Sequence, residues 1–184
     1  MEVNFKANLL SRTNVRKYSP NLKRFAPQQV SFLEINPRCK KDIKSLKRIA
    51  KIWGKGSLFA DNIYQYAKSD LKRRTFILTE QNEGFDVVDA TKILGIGQLT
   101  KEDTDKYCIE YLETKPDYQQ KNKSREYKRI GNRFLHSLKK EFYDKILRVN
   151  FLFDENVIKF YMNNGFSFLN NIFGDLVWKA QNRK

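Results

Sequence analysis

Between Tyr118 and Ile130 the chain places Lys121, Lys123, Arg125, Lys128 and Arg129, five cations in thirteen residues, directly before a segment of helical periodicity. A strand that feeds a helix through such a loop is a general arrangement for holding pyrophosphate. The first helical amides lack intrahelical acceptors and lie at the positive end of the helix dipole. Upstream, Glu110 and Glu113 offer two carboxylates on one strand-like run, and their opposite parity lets a regular strand turn only one of them toward a given face. Downstream, Tyr161 offers a phenol in a segment stopped by Gly165. On these features alone the loop reads equally as a solvated basic surface and each carboxylate as an ordinary surface group. Metal chemistry is not indicated, because Cys39 and Cys108 lie far apart without CxxC spacing and His136 is the single histidine.

These groups need elements to position them. Residues 1–29 carry Arg12, Arg16, Lys17, Lys23 and Arg24 with Pro20 and Pro27 and little apolar periodicity, and read as an irregular basic arm. One domain is expected over 30–184. Val30–Ile35 has strand composition, and Ile43, Leu46, Ile49, Ala50 and Trp53 then recur at helical spacing. Gly54–Ser57 breaks that helix, and Leu58, Phe59, Ile63, Tyr66 and Ala67 predict a second. Thr75–Thr79, Ile93–Leu99 and Tyr107–Glu113 read as three strands of an antiparallel meander. A helix is expected over Arg125–Phe142, with Tyr127, Ile130, Phe134, Leu135, Leu138 and Phe142 on one face and His136 solvated opposite them. Ile146–Phe153 reads as a buried strand, Asn156–Asn163 as a helix, and Phe166–Lys179 as one or two closing strands. The order is βααβββαβαβ.

Asn156-Val-Ile-Lys-Phe-Tyr161-Met-Asn-Asn-Gly165-Phe166 resembles the closing signature of the GNAT superfamily of acyl-CoA-dependent N-acetyltransferases, in which an Asn precedes a Tyr by five residues and a Gly-Phe follows. Glu110–Tyr118 then looks like the family's fourth strand and its exit. Glu126-Tyr-Lys-Arg-Ile-Gly131 looks like the acyl-CoA loop, whose family pattern is Gln/Arg-x-x-Gly-x-Gly/Ala. The resemblance spans about Val30 to Lys179. Two departures stand out: Arg129 occupies the place of the loop's first Gly, and Glu126 that of Gln or Arg, leaving Gly131 alone retained. The segment Gln119–Ser124 looks inserted.

The resemblance implies an α/β (α+β) GNAT fold, with a central mixed, mostly antiparallel, splayed sheet flanked by about four helices. It implies acetyl-CoA as cosubstrate and a primary amine as acceptor, joined by direct transfer in a ternary complex. It places the pantetheine arm along Leu112, Glu113 and Thr114 and the phosphates at Lys128, Arg129, Ile130, Gly131, Asn132 and Arg133. Asn156 is read as a further cofactor contact or simply as a helix N-terminal residue. Tyr161 would protonate the leaving thiolate, a phenol of ordinary pKa about 10 being matched to that task, and Glu110 or Glu113 would deprotonate the amine, Glu110 first. A bulge in this strand, common in the family, would relax the parity of the two carboxylates. Trp53, Phe59 and Tyr64 either shape the acceptor pocket or belong to the core.

Thirty-six Lys and Arg against twenty-one Asp and Glu leave a formal charge of +15, which favours acidic macromolecules over polycations as partners. Acceptors in keeping with this include the amine of a charged tRNA or of a protein. Enrichment in Asn, Phe, Tyr and Ile beside Lys is also what an AT-biased genome produces. The alternative is a catalytically degenerate GNAT-like module that binds RNA, the ribosome or a protein. The longest nearly uncharged runs, such as Ile93–Thr100, are too short to span a bilayer, no signal-peptide pattern opens the chain, and the cytoplasm is the expected location. Oligomeric state is not legible.

Overall fold

The computed structural model describes residues 6–119, 126–150, 154–169 and 174–180. Strands β1 (Asn8–Ser19) and β2 (Arg24–Ile35) are followed by helices α1 (Lys40–Trp53) and α2 (Ala60–Ser69), joined by a 3₁₀ turn at Gly54–Gly56. Strands β3 (Arg73–Thr79), β4 (Ile93–Lys101), β5 (Lys106–Thr114) and the short β6 (Tyr127–Lys128) lead into α3 (Ile130–Glu141). Strand β7 (Ile146–Val149), helix α4 (Glu155–Asn163), and β8 (Ser167–Phe168) and β9 (Leu176–Lys179) complete the described elements. All strands join one sheet in the order β6-β1-β2-β3-β4-β5-β7-β9-β8, antiparallel except for the parallel pair β5 and β7. The expected mixed, mostly antiparallel sheet with four helices is present.

Leu46, Ile49 and Trp53 of α1 and Ile63 and Ala67 of α2 fall at helical spacing and pack on one sheet face against Leu33, Ile35, Ile77 and Ile96. Ile130, Phe134, Leu135 and Leu138 of α3 cover the other face against Val30, Phe32, Phe76 and Leu78. Gly97 of β4 lets α3 sit close, since a Cβ there would lie 2.9 Å from the Phe134 ring and 3.2 Å from the Tyr111 carbonyl.

Two expectations need correction. The described part of the expected irregular arm at 1–29 is ordered as strand: β1 pairs with β2 along its length, through a turn at Pro20–Lys23 in which the Lys23 amide donates to the Pro20 carbonyl at 3.2 Å. The expected boundary at Val30 falls inside β2. The strand was hidden because β1 buries only Val15 fully, and because Pro27 lies where β2 has β1 as its one neighbour, β3 pairing only from Ser31 onward. Helix α3 also begins at Ile130 rather than near Arg125 or Lys128, because Tyr127 and Lys128 pair with Lys17 and Arg16 and Arg129 turns left-handed. The inserted segment lies largely outside the described residues, as do residues 151–153, to which the strand at Ile146 was expected to run.

Candidate functional site

Strands β5 and β7 pair only where Lys106–Cys108 meet Ile146–Arg148. Beyond Cys108 the β5 edge that faces β7 has no strand partner among the described residues. A β-bulge lies at the same place: Gln98 faces Tyr111 and Leu99 faces Ile109, leaving Glu110 as the extra residue. The strands part there, and a cavity of about 320 Å³ opens beside β5.

That cavity is lined by Leu112, Glu113 and Thr114 of β5 and by Lys128, Arg129, Ile130, Gly131 and Asn132 at the start of α3. Eight of the residues expected to meet a cofactor therefore share one opening, though 14 positions separate the two groups in sequence (Thr114 and Lys128). Arg133, Asn156, Glu110 and Tyr161 do not line it. Leu58, Phe59, Tyr118, Gln119 and Phe160 line it as well and were not singled out as cofactor contacts. The break at Gly54–Ser57 and the neighbour of Tyr161 were the available signals for three of these.

The first amides of α3, at Ile130, Gly131 and Asn132, have no acceptor within a helix. No side chain caps them, and no acid stands in the first turn. Lys128 and Arg129 instead add positive charge to the positive end of the dipole, an unfavourable grouping unless an anion joins it. Arg129 occupies the N-cap with φ 63° and ψ 20°, the left-handed conformation for which glycine is suited. The sequence departs from the glycine pattern, but the backbone does not. Gly131 lies close against Phe160, whose ring a Cβ there would meet at 3.1 Å and push aside. Behind this end Tyr127 is fully buried, and its hydroxyl donates to Glu80. Lys17 bridges Glu80 at 3.1 Å and Glu126 at 3.3 Å. Burial, then Glu126, pushes the Tyr118 phenol up to about 12.

The two carboxylates of β5 differ. Glu113 is buried, with Oε2 accepting from Ser57 Oγ at 2.6 Å and from the Phe59 amide at 3.1 Å, and Oε1 from the Leu58 amide at 2.8 Å. Ser57 Oγ in turn accepts from the Ala60 amide at 2.9 Å. Glu113 thus clamps the start of α2 to β5. Glu110, on the bulge, is exposed.

Tyr161 of α4 is 5% exposed, with the rings of Phe160 and Phe166 each 5.2 Å away. Burial, and then the Cys108 thiol, hold its phenol above the usual range and therefore protonated. The Cys108 thiol is itself pushed up to about 12, by burial first and Glu110 next. Asn156 is exposed in the first turn of α4, where Asp154 accepts from its amide at 2.7 Å. His136 is exposed, as expected. Trp53 belongs to the core, Phe59 lines the cavity and tilts against Tyr111 at 5.3 Å, and Tyr64 lines a separate groove between α1 and α2. Among the described residues no cluster of His, Cys, Asp or Glu is arranged to hold a metal ion, and no helix is long and apolar enough to cross a membrane.

No protein-family model matches the chain and no curated protein matches it. Solved structures do. The ribosomal-protein-S18-alanine N-acetyltransferase of Escherichia coli is 14% identical with a TM-score of 0.52, covering 84% of this chain and 98% of its own. The N-acetyltransferase PseH of Campylobacter jejuni, solved in complex with acetyl coenzyme A, is 14% identical with a TM-score of 0.52, covering 83% and 99%. The AtaT toxin, bound to the C-terminus of the antitoxin AtaR and acetyl-CoA, is 13% identical with a TM-score of 0.51, covering 81% and 92%. At these identities what is shared is the fold.

Proposed function

From a chain with the GNAT fold, we propose an acetyl-CoA-dependent N-acetyltransferase that acts on a primary amine by direct transfer in a ternary complex. One observation carries the reading. The uncapped, cation-flanked start of α3 and the unpartnered edge of β5 at Leu112–Thr114 open onto the same cavity.

Those residues fit coenzyme A by their chemistry. Lys128, Arg129 and the first amides of α3 suit its phosphates, and the free strand edge suits its extended, amide-bearing arm. When bound, acetyl-CoA supplies an acyl group activated as a thioester. Glu110, exposed on the bulge, takes the proton that the attacking amine loses, directly or through water. An amide of the β5 edge near Leu112 stabilises the charge that develops on the acyl oxygen. Tyr161, beside the Phe160 that lines the cavity, gives its proton to the departing sulfur as the new C–N bond forms and the C–S bond breaks, although burial makes it a weaker acid than the ordinary phenol expected from sequence. Glu113 is assigned a positioning role, because its oxygens already serve three donors.

Calorimetric titration with acetyl-CoA, followed by thiol release with a panel of primary amines, tests the proposal. Micromolar binding is expected. Tyr161→Phe keeps the ring between Phe160 and Phe166, and is expected to bind acetyl-CoA normally while turnover drops on the order of a hundredfold or more. No heat at millimolar acetyl-CoA would sink the catalytic reading, and full activity in the Phe variant would remove Tyr161 from it. The departures from the family pattern at Arg129 and Glu126, with the formal charge of +15, favour a second reading, a non-catalytic docking module, which predicts that first negative result.

A further inference from the structure

Away from the cavity, α1 and α2 enclose a groove of about 670 Å³. Its walls carry Lys44, Lys47, Arg48, Lys51 and Lys55, with Tyr64 beside them and Asp61 as the one acid in the lining. All five cations are exposed, and none forms an ion pair with a described residue. Four of them recur at positions 44, 47, 48 and 51, a single helical stripe opposite the buried Leu46, Ile49 and Trp53. Like charges at i+3 and i+4 repel, and no acid stands at the spacing that would relieve them. The stripe is therefore an electrostatic liability to α1 in isolation, and a polyanion lying in the groove would remove it.

We propose that this groove binds single-stranded RNA, its cations meeting the phosphates and Tyr64 stacking with a base. Three features favour this occupant over other anions. The surface is concave, so a flat anionic membrane would touch its rims and leave its floor empty. A nucleic-acid duplex is too wide to enter between two packed helices, whereas a single strand enters and exposes its bases. A half-exposed aromatic among cations is the combination that single strands use, backbone neutralisation with base stacking. Register places more positive charge on the same side of the sheet: Arg12 and Arg16 of β1 lie opposite Ser31 and Pro27, on the face of β2 that also carries Leu33 and Ile35 beneath the helices. The inference does not depend on acetyl transfer.

The test is fluorescence anisotropy of a short labelled single-stranded RNA at several salt concentrations, with phosphatidylserine vesicles as a parallel probe. Wild type is compared with K44E/R48E/K51E and with K101E/K106E/K140E, a control of equal charge change at exposed positions elsewhere. The groove variant is expected to bind on the order of tenfold or more weakly, with the log–log salt slope shallower by about 2, while the control stays near wild type. Tyr64→Leu, which preserves the packing against the α1/α2 core, is expected to weaken binding roughly tenfold without changing the slope. An unchanged far-ultraviolet circular dichroism spectrum and a cooperative thermal melt in the groove variant report intact folding. Equal loss in groove variant and control would reduce the effect to net charge and overturn the proposal. So would absence of RNA binding, or binding to vesicles alone.

Discussion

Glu113 and Glu110 show how little a residue's type says about its role until its partners are known. Three positions apart on β5, both are carboxylates that could take a proton from an amine, yet one is saturated by a hydroxyl and two amides while the other stands exposed on a bulge. Exchanging a buried, fully used acceptor for an amide turns an N–H toward donors. Glu113→Gln is therefore expected to lower stability by about 1–3 kcal/mol in urea denaturation. Glu110→Gln is expected to leave stability within about 0.5 kcal/mol and to depress turnover at neutral pH. The reverse pattern would exchange the assigned roles. Arg129 makes a related point. The sequence departs from glycine there, but the chain still adopts φ 63°, so the turn into α3 is set by its surroundings, chiefly the β6 pairing just before it.

At the scale of elements, the site depends on how closely helices approach the sheet. Gly97 seats α3 and Gly131 seats α4, through Phe134 and Phe160 respectively. Phe134 is fully buried and meets the strand backbone side, so Gly97→Ala is expected to cost about 1–3 kcal/mol, read as a lower midpoint of thermal unfolding. Phe160 is only partly buried and lines the cavity, so Gly131→Ala is expected to displace its ring into that space. Weaker acetyl-CoA binding with a small change in stability is the expected signature, and calorimetry beside thermal melts separates the two effects. The same comparison explains which elements were legible. α1, α2 and the body of α3 carry their buried residues at helical spacing, and β3 and β4 hold nearly continuous buried runs. β1 alternates weakly around a single buried Val15, and β6 is two residues long, so neither leaves a pattern that periodicity detects.

For the molecule as a whole, a formal charge of +15 means that compactness works against self-repulsion. Raising ionic strength from about 0.01 M to about 0.15 M shortens the screening length from about 30 Å to about 8 Å, and is expected to raise the thermal midpoint. A midpoint that falls with salt would show that pairs such as Arg74 with Glu34 outweigh that repulsion. The sequence by itself determined the charge, the helix faces, the central strands, and the spacing of Asn156, Tyr161, Gly165 and Phe166 that resembles one family. These are local or additive properties, so they survive reading in one dimension. Only the tertiary structure decided that residues within the basic arm are a strand hairpin, that Glu113 is a clamp, and that the cations of α1 border one groove with Tyr64. Each of those depends on what a residue meets across the sheet or between helices. A strand's neighbour, a carboxylate's donors and a groove's opposite wall are set by long-range packing, which the order of residues along the chain does not display.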